Sequence, residues 1–296
     1  MAGFEEIIRK AGLSAEEREA FEAYTANRFT GAAAPEADGT DFLAPWRSIV
    51  IFAGQVGGAE AFNRKVCAKR PVAFRRPETV SIEIYDSFAG EIPVISVPDA
   101  ADYEDTVTNL VYKGVRPENL SVTGASFLSA KTTRFMILSG KPYSNVPAEE
   151  LGLEEEQWGE QSLRLRRAHE CCHFYTRQRY GLALNLLHDE LMADFTGLMD
   201  AFGFYRAEWF LRFMGVIPGA GNRLTFYTKD LTERVRAAVG MTAAACAASL
   251  EAWSGTEVFR KMSVPERIDV MCAAGLEGIL DGLEGGKLSK ELLQHE

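Results

Sequence analysis

"RRAHECCHFYTR", Arg166–Arg177, places a histidine, a glutamate and a second histidine in the order H-E-x-x-H, although the whole 296-residue chain has only 4 histidines. The stretch decides the fold because the pattern has chemical meaning only on a helix. There, residues i and i+4 are neighbours with Cβ atoms ~5–6 Å apart. The imidazoles of His169 and His173 can then converge on one ion at the ~2.0–2.1 Å that Zn²⁺ requires. Glu170 lies ~100° around the helix from His169, too far round to join the pair easily but placed to reach a water between them. Two ligands and a base are what a metal-dependent hydrolase needs.

Zinc takes a third protein ligand and keeps an open position. Working outward, "HDELMADFTG", His188–Gly197, offers Glu190 or His188. These two lie ~200° apart on a helix, so both are not expected on one ion. Glu190 and Asp194 share a face as an i, i+4 pair. With Glu190 as ligand, Asp194 stands one turn on, able to accept the spare N–H of a ligating histidine, an arrangement that fixes the tautomer. Met192 would follow His188 in the same role and orients nothing. Glu190 is therefore the expected third ligand, with His188 and Cys172 as alternatives. A free helical cysteine is more often a small core residue.

The rest of the chain frames this pair. "FEEIIRKAG" reads as a helix ended by Gly12. Ser14 and Glu17 have capping-box spacing and start a second helix. "TGAAAPEADGTD", 30–41, reads as a loop. "WRSIVIFAG", 46–54, reads as a buried strand, and "GGAEAFNRKVCAKR" has helical character. Because "IFAGQVGGAEAF" lacks G-x-G-x-x-G and G-K-[S/T], a tight strand-to-helix turn fits it better than a phosphate loop. From Thr79 the period becomes two, and "TVSIEIYDS", "EIPVISVPD", "TVTNLVYKGV", "NLSVTGAS" and "TTRFMILSG" read as strands. After Pro147 the pattern is helical to the end, with Ser263 and Glu266 again in capping-box spacing. The expectation is an α+β protein: a mixed or antiparallel sheet, then a mainly helical C-terminal half carrying the metal-binding helix pair. The expected seam divides 1–146 from 147–296, unless both form one compact two-lobed domain.

H-E-x-x-H followed on the next helix by E-x-x-A-D-x-x-G resembles the zincin-like metallopeptidases of the gluzincin type, over roughly Thr132–Phe204. The resemblance implies one Zn²⁺ held by His169, His173 and Glu190, with Glu170 as general base and Asp194 as the acceptor behind a ligand. It implies a peptide or protein substrate lying along an edge strand before the motif helix, for which "TTRFMILSG" is the candidate. It also implies a Tyr, His or Arg beyond the third ligand to stabilise the oxyanion. Tyr205, Arg206, Arg223 and Tyr227 are candidates, and spacing does not choose among them. Thr176 and Arg179 stand where the metzincin extension requires Gly and His, so that family is excluded. Peptide deformylases draw a ligand from an upstream Glu-Gly-Cys segment, which this chain lacks.

A formal net charge of −10 argues against nucleic acid or an anionic membrane as the main partner. No stretch approaches the ~18–20 apolar residues of a membrane span. Five scattered cysteines form no disulfide framework, and the opening "MAGFEEIIRKAGLSAEERE" is amphipathic and acidic rather than a secretion signal. A cytoplasmic location is expected. The fourth histidine, His295, is set aside as terminal. The leading expectation is a zinc-dependent hydrolase acting on peptides. The alternative is a non-catalytic or degenerate zincin-like protein in which a metal or a polar helix pair is structural and the chain is a binding module.

Overall fold

In a computed structural model, the structure describes residues 2–32, 41–118, 120–130 and 133–283. Most of the expected 30–41 loop and His295 lie outside the described residues. The helices, in chain order, are α1 (Ala2–Ala11), α2 (Ala15–Thr25), α3 (Ala44–Val56), α4 (Gly58–Ala61), α5 (Ala100–Leu110), α6 (Ala148–Leu151), α7 (Glu155–Tyr180), α8 (Leu187–Phe202), α9 (Ala207–Met214), α10 (Arg223–Tyr227), α11 (Glu233–Ser254), α12 (Glu257–Lys261) and α13 (Val264–Leu280). The strands are β1 (Ser81–Ser87), β2 (Gly90–Val97), β3 (Ala125–Ala130) and β4 (Thr133–Ser139). The protein is α+β, with a small mixed sheet and a helical C-terminal half. Among the described residues no helix is long and apolar enough to cross a membrane.

The chain forms two compact units, Met1–Pro35 with Cys171–Glu296, and Glu36–Glu170. The division is therefore not at the expected 146/147 seam. It falls inside α7, between Glu170 and Cys171, and the first two helices belong with the helical half. The reason is visible in each unit's packing.

In the unit spanning 36–170, the sheet order is β1-β2-β4-β3. β1 and β2 form a hairpin closed by the Ser87–Gly90 pair, and β2 runs parallel to β4 with Val94 opposite Met136. Strand β4 is antiparallel to β3 on its other side. Central strands in such a sheet read as continuous apolar runs, and Ile92, Val94 and Ile95 of β2 and Phe135–Leu138 of β4 are all buried. Trp46 of α3, Phe62 and Tyr103 of α5 complete this core, with the Trp46 and Phe135 rings 4.8 Å apart.

Two expected strands are helices. "WRSIVIFAG" lies in α3, which has Pro45 in its first turn, where a missing N–H is harmless. Its run of β-branched residues suited a strand, but only Trp46 of this helix is fully buried. The turn after it therefore joins two helices through Gly57 (φ 91°), not a strand to a helix. "TVTNLVYKGV" falls in and after α5, which starts earlier: the Asp99 carboxylate accepts from the N–H groups of Ala101 and Asp102. The "NLSVTGAS" strand begins only at Ala125.

The segment after β4, Lys141–Pro147, is held to the first half of α7. The buried Arg166 guanidinium donates to the carbonyls of Ser139 (2.7 Å) and Lys141 (3.0 Å). The Tyr143 N–H donates to Ser162 Oγ (3.1 Å), and Trp158 Nε1 donates to the Val146 carbonyl (2.7 Å). These bonds tie the start of α7 to the sheet. Gly124 makes room for the arginine, since a Cβ there would stand 2.6 Å from Arg166 Nε.

In the other unit, α11 is the central helix. Small residues on its buried face, Ala238, Ala243, Cys246 and Ala247, admit close neighbours, and α1, α2, α8, α9 and α13 pack against it. Capping boxes form at Ser14/Glu17 and Ser263/Glu266, as the spacing predicts. Helix α8 is buried at every residue from Leu187 to Leu198, three acids among them.

Replacing Arg166 by Met would leave the Ser139 and Lys141 carbonyls without their buried donor. Urea unfolding should show a loss of about 2–3 kcal/mol, and a loss under about 0.5 kcal/mol would show that water replaces the guanidinium without penalty.

Candidate metal centre

Helix α7 carries His169 and His173 one turn apart, and α8 presents Glu190 to them. One donor atom from each of these three residues lies within 4.8 Å of the others. His173 Nε2 stands 3.7 Å from Glu190 Oε1. His169 and Glu190 are buried, and the His173 side chain is 14% exposed. Two atoms bound to one tetrahedral zinc at ~2.0–2.1 Å stand ~3.3–3.4 Å apart, so side-chain adjustments of about an ångström would close the set on it. Two imidazoles and a carboxylate, nearly buried and already this close, fit a zinc-like ion.

A hydrogen bond from Tyr143 orients one imidazole from behind, and the Asp189 carboxylate lies close behind the other. His169 Nδ1 shares a 2.8 Å hydrogen bond with the hydroxyl of Tyr143, whose place in the segment after β4 is fixed by the bonds to α7. Asp189 Oδ2 lies 3.1 Å from His173 Nδ1. The same oxygen accepts from the Leu184 N–H (2.6 Å), tying the chain entering α8 to the histidine. Neither Tyr143 nor Asp189 was apparent from sequence. Asp189 adjoins Glu190 in the first turn of α8, which was its only signal. Tyr143 is 26 residues from its histidine, in an irregular segment that no periodicity describes.

Asp194, expected behind a histidine, has Arg223 as its prominent partner. Arg223 Nη1 donates to both carboxylate oxygens, at 3.0 and 2.9 Å, while Nη2 donates to Glu190 Oε2. Arg223 Nε donates to the Tyr227 hydroxyl (3.2 Å). Burial pushes the Tyr227 phenol well above its usual range, so it stays a neutral donor. Of the four residues considered for an oxyanion role, Arg223 thus meets Glu190, and Tyr227 meets Arg223. Tyr205 is buried against Phe195, with burial raising its phenol, and Arg206 lies over the Phe204 and Trp209 rings. Neither is brought to the cluster by any of these contacts.

Glu170 is half-buried, and no hydrogen bond or ion pair engages its carboxylate among the described residues. His188 belongs to the packing instead of the cluster. Its Nε2 is 3.0 Å from the Met271 carbonyl, which can only accept, so Nε2 carries the proton; burial lowers its pKa and keeps it neutral. All five cysteines are buried thiols. Cys172 is fully buried, and desolvation first, then Asp189, pushes its thiol well above the usual range, so it is a poor metal ligand. Strand β4 is paired on both sides, so "TTRFMILSG" is not the expected edge; the edges are β1 and β3.

Residues 129–280, half of the chain, match the model of a family of unknown function, DUF7005. The chain belongs to this family. The residues matched by the DUF7005 model include His169, Glu170, His173, Glu190, Tyr143, Asp189, Asp194 and Arg223. No curated protein and no solved structure gives a significant match.

Replacing Asp189 by Ala should lower stability by about 1.5–3 kcal/mol, because the Leu184 N–H loses a charged acceptor beneath α8. Equal midpoints for variant and parent in chemical denaturation would contradict this.

Proposed function

We propose that this DUF7005 protein is a zinc-dependent hydrolase of zincin type acting on peptide bonds. The observation that carries the reading is the convergence of His169, His173 and Glu190 with a half-buried, unengaged Glu170 on the same helix. The fit rests on the donor set and on Tyr143 and Asp189. Tyr143 on His169 Nδ1 and the Asp189 carboxylate near His173 Nδ1 support ligation through Nε2 of each histidine, since such outer partners are usual behind ligating histidines.

When bound, zinc supplies a Lewis acid that polarises a carbonyl and makes water acidic near neutral pH. The chain's own residues do the rest. His169 Nε2, His173 Nε2 and one oxygen of Glu190 would hold the ion. Glu170 takes a proton from the attacking water onto its carboxylate and delivers it to the leaving amine, work that contributes ~10²–10⁴-fold. Tyr143 keeps the His169 ring from turning. The substrate class rests on the resemblance of H-E-x-x-H with E-x-x-A-D-x-x-G to gluzincins, and a cytoplasmic setting agrees with five free cysteines.

One observation favours a second reading, in which the helix pair is structural and the chain is a binding module. Glu190 is already engaged by Arg223, and the Asp189 carboxylate lies 3.1 Å from His173 Nδ1, so the pair has polar contacts of its own. Chelator treatment separates the two. A structural metal should make the fold melt much earlier when removed, whereas a catalytic one should remove activity with little change in melting.

The test is zinc-loaded protein with a mixture of unblocked and blocked peptides, assayed by release of amines. Glu170→Gln should keep its zinc and lose at least about 100-fold in rate. His173→Ala should lose the zinc itself. Full activity in Glu170→Gln would overturn the mechanism, and unchanged zinc in His173→Ala would overturn the site. Tyr143→Phe, which removes only the hydroxyl, should weaken zinc binding by about 10-fold or more, and unchanged affinity by competition with a chelator would deny Tyr143 its orienting part.

A further inference from the structure

We infer that Arg223 is the positioning residue of this centre: it holds Glu190 to one ligand oxygen and carries the counter-charge of the Glu190–Asp194 pair when no ion is bound. The first half rests on the metal reading above, while the second stands on geometry alone. Glu190 and Asp194 are i, i+4 on α8, 3% and 0% exposed, so two carboxylates are buried on one face. Like charges so placed repel, and each needs compensation out of water. Arg223 spans both. A guanidinium offers five donors in a fixed planar fork, and here all three nitrogens are engaged: Nη1 on Asp194, Nη2 on Glu190 Oε2 and Nε beside Tyr227.

This division of oxygens has a chemical consequence. Arg223 takes Oε2, and Oε1 is the atom 3.7 Å from His173 Nε2. A carboxylate held in this way can offer a metal one oxygen but not two. Two imidazoles and one carboxylate oxygen then leave the fourth position of a tetrahedral ion open, as catalysis requires. Without the arginine, both oxygens of Glu190 are released to close on the ion, and the open position is lost. Short helix α10 exists to deliver Arg223 and Tyr227 together, since the two are i and i+4 on its five residues.

The test uses the whole chain with Arg223→Met, Arg223→Lys and the double variant Arg223→Met/Asp194→Asn, read by melting without metal and by the visible spectrum after cobalt(II) is added. Four-coordinate cobalt absorbs strongly and higher coordination weakly, so the spectrum reports the ligand count. Metal-free Arg223→Met should melt at least about 5 °C below the parent, and the double variant, which removes one buried charge with the arginine, should recover part of that loss. Arg223→Lys keeps the charge without the fork: it should melt closer to the parent, yet share with Arg223→Met a several-fold loss of cobalt absorbance. An unchanged metal-free melting point in Arg223→Met, or no recovery in the double variant, would overturn the counter-charge role. A parent-like cobalt spectrum in Arg223→Lys and Arg223→Met would overturn the positioning role. Should the parent itself take up no cobalt, the metal reading fails and the ligand half of this inference with it, while the melting comparison still decides the counter-charge half.

Discussion

Three buried acids on one helix, Asp189, Glu190 and Asp194, are the constraint on which the rest of the centre depends. They are 0%, 3% and 0% exposed, and all lie within the first two turns of α8. Removing an ionised carboxylate from water costs several kcal/mol even after the protein relaxes. Each acid is therefore met by donors from outside the helix. Asp189 receives the N–H of Leu184 and lies beside His173; Glu190 receives Arg223; Asp194 receives Arg223 on both oxygens. The acids select their neighbours, and those neighbours build the site. A helix fully buried along twelve residues would otherwise be expected to carry apolar residues only. Departures from that rule concentrate at functional or strained sites.

The same logic explains why the segment after β4 is so heavily tied down. Arg166, Ser162 and Trp158 of α7 bind its backbone at Ser139, Lys141, Tyr143 and Val146. Its purpose is visible at its centre, where the Tyr143 hydroxyl meets His169 Nδ1. A residue that orients a ligand must have its own position fixed, and sites built this way are rigid to a fraction of an ångström. The left-handed backbone of Ser144 (φ 54°) and Asn145 (φ 58°) lies beside that tyrosine, a conformation that asparagine tolerates and serine adopts at some cost.

How much of this was legible in the sequence follows from where the information sits. Helix starts with local caps were readable, because Ser14/Glu17 and Ser263/Glu266 act within one turn. Strands β1, β2 and β4 were readable from alternation or apolar runs. Helices α3 and α5 were misread because Ile49, Val50, Ile51, Val107 and Val111 favour strands locally, while the overriding signals were a proline in the first turn and the Asp99 cap. The central place of β4 depends on pairing with β2 and β3, which no single strand encodes. The cluster of His169, His173 and Glu190 came from helical phase alone. Its supports did not: Arg223 is 33 residues from Glu190 and Tyr143 is 26 from His169, separations that only the folded chain closes.

The central claim is that these three side chains share one ion, and X-ray diffraction from zinc-loaded crystals at the zinc absorption edge tests it most directly. The account predicts one anomalous peak about 2.0–2.1 Å from a nitrogen of His169, a nitrogen of His173 and one oxygen of Glu190, with Oε2 still on Arg223. A zinc peak elsewhere, or no peak in crystals grown with zinc in excess, would contradict it.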